Sequence, residues 1–327
     1  MKRPKKTRVL ITGITGFVGS HLVDYILANH PEVEIYGLVR WRSPMDNLMH
    51  ISPDKYKLLY GDLMDLSSLI RMMGEVPPEI IFHLAAQSYV KISFDAPIDT
   101  LQTNVIGTTN LLEAIRLSKT DPVIHICSSS EVYGQVREDE VPIKEANPFR
   151  PASPYAVSKV AEDMIAFQYW LSYGIKNIRT RMFTHTGPRR GEVFAESAFA
   201  KQIALIEKGK QEPVIWVGNL DSVRTFSDVR DAVKAYWLLV NKCRPGEVYN
   251  IGGNRTMKIG EMLDLLLDFS PIKGKAKIEV DPKLLRLSDV TLQIPDCSKF
   301  KTETGWEAEI PLEKTLEDTL NYWRKRV

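Results

Sequence analysis

The chain has 327 residues, 44% of them hydrophobic and 26% charged, with a formal net charge of +2. That length exceeds what one hydrophobic core ordinarily serves and predicts two lobes sharing a cleft. The near-neutral balance excludes a general nucleic-acid or membrane-binding surface, and no uninterrupted apolar stretch reaches the length of a membrane span. Three scattered cysteines, Cys127, Cys243 and Cys297, have no metal-ligand spacing and fit a reducing cytoplasm with no disulfide. The leader Met1-Lys2-Arg3-Pro4-Lys5-Lys6 is basic, has no cleavage-like site after it, and reads as a solvated tail.

In chain order, Arg8 to Thr12 is a short run rich in branched apolar residues, and a helical pattern follows Gly19, so Gly13, Gly16 and Gly19 sit where a buried strand turns into a helix. Further strands are predicted at 33–40, 57–62, 80–86, 123–128 and 177–183. Helices are predicted at 65–73, 103–119 and 153–173. This alternation argues an α/β fold, a Rossmann-type doubly wound parallel sheet, over residues 1–183. Beyond it, helices at 194–208, 229–241, 258–269 and 312–326 interleave with short strands at 214–217 and 277–280. They read as a smaller C-terminal α/β lobe, 184–327, with the chain crossing between lobes.

The opening loop is built to hold a pyrophosphate. Gly13 permits the tight turn, Gly16 lets backbone N–H groups approach, Gly19 lets the helix pack on the strand, and Thr15, Phe17 and Val18 complete the cradle. The spacing Gly-x-x-Gly-x-x-Gly resembles the extended short-chain dehydrogenase/reductase superfamily, which binds a nicotinamide dinucleotide. The second strand ends Gly37-Leu38-Val39-Arg40-Trp41-Arg42-Ser43, with no carboxylate to take the ribose hydroxyls of NAD. An arginine there accommodates a 2′-phosphate, so NADP is favoured over NAD, with Arg40 and Ser43 as its contacts and Arg42 next. Asp62 and Leu63, ending the third strand, lie along the adenine. Leu84, Ala85 and Ala86, ending the fourth, let the backbone approach the cofactor.

Two stretches carry chemistry. Tyr155 and Lys159 stand four apart and share one helix face, where the ammonium can lower the phenol's pKa and hold the nicotinamide ribose. The fifth strand runs into Ser128-Ser129-Ser130-Glu131-Val132-Tyr133-Gly134, and Ser129 can hydrogen-bond the hydroxyl being oxidised. Glu131 is the informative residue. Hydride transfer alone needs no carboxylate there, whereas removing a proton α to a ketone and protonating a departing hydroxyl does. A glutamate capping the following turn is the alternative.

At this point the resemblance narrows. Ser128 to Gly134, Ala86-Gln87-Ser88-Tyr89-Val90-Lys91, and above all His185-Thr186-Gly187-Pro188-Arg189-Arg190-Gly191-Glu192 resemble the GDP-mannose 4,6-dehydratase family over nearly the whole chain. The later half, from Ala200-Lys201-Gln202 to Asp228-Val229-Arg230-Asp231, also resembles the related GDP-4-keto-6-deoxy-mannose reductases. The resemblance implies Ser129, Glu131, Tyr155 and Lys159 as catalytic and His185 and Arg190 as cofactor contacts. It implies Ser88, Lys201, Gly218, Asn219, Arg224 and Arg286 as nucleotide-sugar contacts, the two arginines facing the pyrophosphate or a neighbouring ribose. Thr184, Thr225 and Leu287 replace the family's usual Asn, Asp and Pro.

The activity implied is a hydro-lyase: conversion of GDP-mannose, or a close GDP-sugar, to a 4-keto-6-deoxy sugar with NADP and no metal. The alternative is an NADPH-dependent reductase, followed by a 4-epimerase or a cofactor-binding protein without turnover. The resemblance also implies a homodimer or homotetramer, with residues 40–47 reaching a neighbouring subunit's cofactor.

Overall fold

The computed structural model describes residues 6–327, so the basic leader lies, apart from Lys6, outside the described residues. Strand β1 (Arg8–Thr12) runs into α1 (Phe17–Asn29), then β2 (Glu34–Val39), β3 (Lys57–Tyr60), α2 (Leu66–Glu75) and β4 (Ile80–His83). Two short helices, α3 (Val90–Asp95) and α4 (Pro97–Leu101), and a π-turn at Gln102–Ile106 lead into α5 (Gly107–Leu117). There follow β5 (Val123–Ser129), the long α6 (Pro154–Tyr173), β6 (Asn177–Met182), β7 (His185–Thr186) and α7 (Ala195–Glu207). The remainder is β8 (Val214–Val217), β9 (Val223–Asp228), α8 (Val229–Lys242), β10 (Val248–Ile251), β11 (Arg255–Lys258) and α9 (Ile259–Asp268). Last come β12 (Lys277–Val280), β13 (Leu292–Gln293), α10 (Ser298–Thr304) and α11 (Leu312–Arg324).

Seven strands form one sheet in the order β10-β6-β5-β4-β1-β2-β3, and every pairing in it is parallel. Both faces are covered, which is why its strands read as apolar runs. Val9 and Ile11 join Leu22 and Ile26 of α1 and Ala232 and Tyr236 of α8 in one core. Leu10, pointing the other way, joins Leu69 of α2 and Leu111 of α5. Strand order reverses between β1 and β4, and a crevice opens beyond the carboxyl ends there.

The predicted strands and helices before residue 183 form with ends shifted by a few residues. The fourth strand stops at His83 because the Thr12 hydroxyl takes the N–H groups of Leu84 and Ala85, each at 3.1 Å. After residue 183 the chain does not stay apart. Helix α8 packs on α1 and β10 adds beside β6, so residues 229–251 belong to the large sheet and its cover. The rest forms a second body: β9 with β7, β11 and β13, the pair β12–β8, and a core of Ile203, Phe226, Leu263 and Leu316 joining α7, α9 and α11.

Candidate active site

A cleft of about 810 Å³ lies at the carboxyl ends of the parallel strands, with walls from both bodies. At one end is the β1–α1 loop. Gly13 has φ +72°, and a Cβ there would meet Ala85 N at 2.9 Å; a Cβ on Gly19 would stand 2.2 Å from Gly13 O. Gly16 is the N-cap of α1 with extended backbone and no side-chain cap, and Thr15, Phe17 and Val18 line the cleft beside it. An uncapped helix N-terminus with free N–H groups suits a phosphate.

At the end of β2 the turn closes on itself: Arg40 N donates to Ser43 Oγ and Ser43 N to Arg40 O, both at 3.0 Å. This leaves the Arg40 and Arg42 side chains exposed on the cleft rim. Asn47 Nδ2 donates to Thr15 O at 3.0 Å and Arg189 Nη1 to Asn47 O at 3.3 Å, so the segment expected to reach a neighbouring subunit lies against its own phosphate loop. Asp62 accepts the N–H of Met64 at 3.0 Å, and with Leu63 it lines the cleft beyond β3. Leu84, Ala85 and Ala86 form its floor. The His185 ring stacks on Phe17 at 5.9 Å, and burial first, then Arg190, pushes its pKa down to about 4. Arg190 lies 3.7 Å over the Phe194 ring and 5.2 Å from Phe17, its buried Nε without a partner.

Helix α6 places the Tyr155 phenol in the cleft. Ser153 caps it by accepting Ala156 N at 3.0 Å, Pro154 starts it, and Gly174, at φ +69°, ends it. Asp163 fixes it to β6 through Arg179 Nη1 at 2.9 Å and Arg181 Nε at 2.8 Å, all three buried. Tyr155 and Lys159 then face the cleft. Lys159 Nζ donates to Cys127 O at 3.0 Å and to Glu162 Oε2 at 2.9 Å. Burial alone would lower the ammonium's pKa, but Glu162 and the Tyr155 phenol raise it above the ordinary value. For Tyr155, burial outweighs the pull of Lys159 and the hydrogen bond from Ser129, so the phenol stands above its ordinary value. The lowering expected of Lys159 is present but exceeded by desolvation.

Ser129, rather than Glu131, does the capping: its Oγ accepts the N–H of Glu131 at 3.2 Å. The Glu131 carboxylate lines the cleft, with Oε1 3.8 Å from Arg286 Nη1. Arg286 also lies 3.5 Å from Asp289, whose Oδ2 accepts from Asn219 Nδ2 at 2.9 Å and Ser222 Oγ at 3.0 Å. Arg224 completes this cluster, 3.7 Å from Asp289, and Ser88 and Gly218 line the same end.

Lys201 does not belong there. Its ammonium pairs with Glu192 and stands 5.3 Å over the Trp323 ring, outside the cleft lining. Thr184 lines the cleft, whereas Thr225 is buried against Thr256 at 2.7 Å and Leu287 is exposed to solvent.

Sequence reasoning missed several groups. Glu162 carried a signal, three residues after Lys159 on the same helix. Asn104 carried none: buried on the π-turn, it donates to Ser158 Oγ at 2.9 Å and to Gln87 O at 3.0 Å, tying the β4 loop to α6. Asp289 and a buried carboxylate, Glu196, reach the cleft only through folding. Among the described residues no His, Cys, Asp and Glu group could hold a metal, and no helix is long and apolar enough to cross a membrane.

Against known proteins, a family model described as GDP-mannose 4,6 dehydratase matches residues 10–319. The GDP-mannose 4,6-dehydratase of Vibrio cholerae El Tor is 35% identical, covering 96% of this chain and 92% of that protein. The GDP-6-deoxy-D-mannose reductase of Pseudomonas aeruginosa is 33% identical, covering 98% of each. The solved structure of RMD from Pseudomonas aeruginosa complexed with NADPH superposes with TM-score 0.84 at 32% identity, over 98% of this chain and 100% of that one. Other solved structures of this fold carry NAD.

Proposed function

Because the chain belongs to the GDP-mannose 4,6-dehydratase family, we propose that it converts GDP-mannose, or a close GDP-sugar, to the 4-keto-6-deoxy sugar by internal hydride transfer and loss of water. The observation that carries this reading is the position of the Glu131 carboxylate, in one cleft with Ser129, Tyr155 and Lys159. Tyr155 takes the proton of the C4 hydroxyl, Ser129 hydrogen-bonds the same oxygen, and the Lys159 ammonium favours the phenolate as it forms. A nicotinamide dinucleotide, held by the β1–α1 loop with Tyr155 and Lys159 at its ribose, would supply the hydride chemistry of this step, the oxidation at C4 and the reduction at C6. Glu131 removes the C5 proton, acidified by the adjoining ketone, and protonates the departing C6 hydroxyl. Arg286 lies 3.8 Å from this carboxylate. Arg224 and Arg286 offer planar paired donors to the diphosphate.

The uncapped α1 terminus and the glycines that no Cβ could replace fit a dinucleotide. Exposed Arg40 and Arg42, with no carboxylate ending β2, favour NADP over NAD. In this reading residues up to 183 carry chiefly the cofactor, and the body formed by 184–327, apart from the returning α8 and β10, closes on the sugar. We read the protein as a cytoplasmic homo-oligomer, dimer or tetramer. Val157, Met164 and Leu171, seven residues apart along α6, expose an apolar stripe that a second copy would cover.

The experiment is incubation with GDP-mannose and a trace of NADP, followed by mass spectrometry of the nucleotide sugar. Loss of one water without net cofactor consumption supports the dehydratase. The second reading, a reductase, is favoured by the similarity to the Pseudomonas aeruginosa protein. It predicts no change with GDP-mannose and stoichiometric NADPH oxidation with a GDP-4-keto-6-deoxy sugar.

A further inference from the structure

Glu196, in the first turn of α7, lines the cleft yet is only 5% exposed. A first-turn carboxylate is ordinarily a solvated partner of the helix dipole. This one accepts no hydrogen bond and makes no ion pair with any described residue. Its oxygens are not among the sealed polar atoms that lack a partner, so the side chain is packed while its carboxylate opens to the cleft, free to accept hydrogen bonds from a ligand there. Its surroundings fix which end of the cleft it serves. It follows by two residues Phe194, the N-cap of α7, whose ring carries Arg190 at 3.7 Å and meets Tyr89 edge-on at 6.1 Å, and all of these line the one cleft with Tyr155 and Glu131. It therefore stands near the reacting groups, on the wall supplied by α7.

We propose that the Glu196 carboxylate accepts hydrogen bonds from the C2 and C3 hydroxyls of the substrate hexose and so selects the sugar independently of its nucleotide. This rests on the dehydratase reading. With C4 at Ser129 and Tyr155 and C6 at Glu131, the C2 and C3 hydroxyls are the donors that the chemistry leaves over. A carboxylate has two oxygens to accept an adjacent pair. The competing role is a counter-charge: Glu196 would then only offset Arg190 and Arg224 and weaken the hold on the diphosphate.

The test titrates wild type, Glu196→Gln and Glu196→Ala calorimetrically with GDP-mannose, UDP-glucose and dTDP-glucose, and with free GDP, UDP and dTDP. Thermal unfolding checks that each variant is folded, with Glu196→Gln retaining the side-chain volume. The expected result is that Glu196→Ala weakens the nucleotide sugar that wild type binds by about tenfold or more, and Glu196→Gln by less, while the matching free diphosphate is held as before. Equal affinity of wild type and both variants for that sugar overturns the inference. So does tighter binding of the free diphosphate with no sugar-dependent loss, the mark of a counter-charge. If wild type takes UDP-glucose or dTDP-glucose and not GDP-mannose, the GDP reading falls while Glu196 is judged on the ligand bound. If it takes none, the nucleotide-sugar reading falls and the inference falls with it.

Discussion

Lys159 Nζ donates to Glu162 Oε2 at 2.9 Å, both groups buried on α6, and the second oxygen of Glu162 has no partner. The pair keeps the ammonium charged at the foot of the Tyr155 phenol. Glu162 touches no reacting atom, so it is a positioning residue acting through Lys159. Glu162→Gln removes the negative charge that raises the Lys159 pKa, so that pKa falls. The alkaline limb of kcat should move to lower pH and kcat at neutral pH should drop by about tenfold. Glu162→Asp should restore part of both. A variant whose pH profile superposes on wild type would remove this role.

Glu131 and Arg286 approach to 3.8 Å, which predicts a separation of the two half-reactions. In Glu131→Gln, single-turnover absorbance should still report reduced nicotinamide from oxidation at C4. Release of the dehydrated sugar should slow by about 10²-fold to 10⁴-fold. Normal turnover by this variant would displace Glu131 from the chemistry.

Arg40 stands exposed at the end of β2, in a turn closed by Ser43. Arg40→Ala should weaken NADPH by about tenfold, the size of a charge-assisted contact with phosphate, and leave NADH within a factor of about two. Fluorescence titration of both cofactors measures this. Equal weakening of both would place Arg40 outside the 2′-phosphate site.

Three buried histidines, His21, His83 and His125, and the half-buried His185 make the fold acid-sensitive. Burial pushes His83 and His125 down to about 3 and His21 and His185 down to about 4. Their folded values lie below the unfolded value of about 6.5, so between these limits the unfolded chain binds protons that the native chain does not. Stability is therefore present above about pH 6.5 and is lost as pH falls, by up to about 1.4 kcal/mol per pH unit for each histidine. Urea midpoints should decline steadily from pH 7 to pH 5. A flat profile would contradict neutral burial of these imidazoles.

Much of this protein was legible one element at a time. The run Arg8 to Thr12, the glycines that follow and the four-residue spacing of Tyr155 and Lys159 depend only on strand and helix geometry, which sequence period encodes directly. The parallel half of the fold and the shared face of Tyr155 and Lys159 follow from them. Lys201 and Glu196 mark where that reasoning stops. Both lie on α7, and resemblance favoured the lysine, but the fold sends Lys201 to Glu192 and Trp323 and buries Glu196 in the cleft. Arg286 and Glu131 are likewise brought together across more than a hundred and fifty residues of chain. Val248–Ile251 leave the second body to pair with β6.

The sequence alone thus determined the parallel α/β scaffold, the dinucleotide cradle and the Tyr155 and Lys159 pair, because each is a local pattern of spacing. Tertiary structure alone decided which carboxylates and cations meet in the cleft. Their placement depends on how α7, β9 and the segment before β13 pack against the large sheet, and no period within one element records that packing.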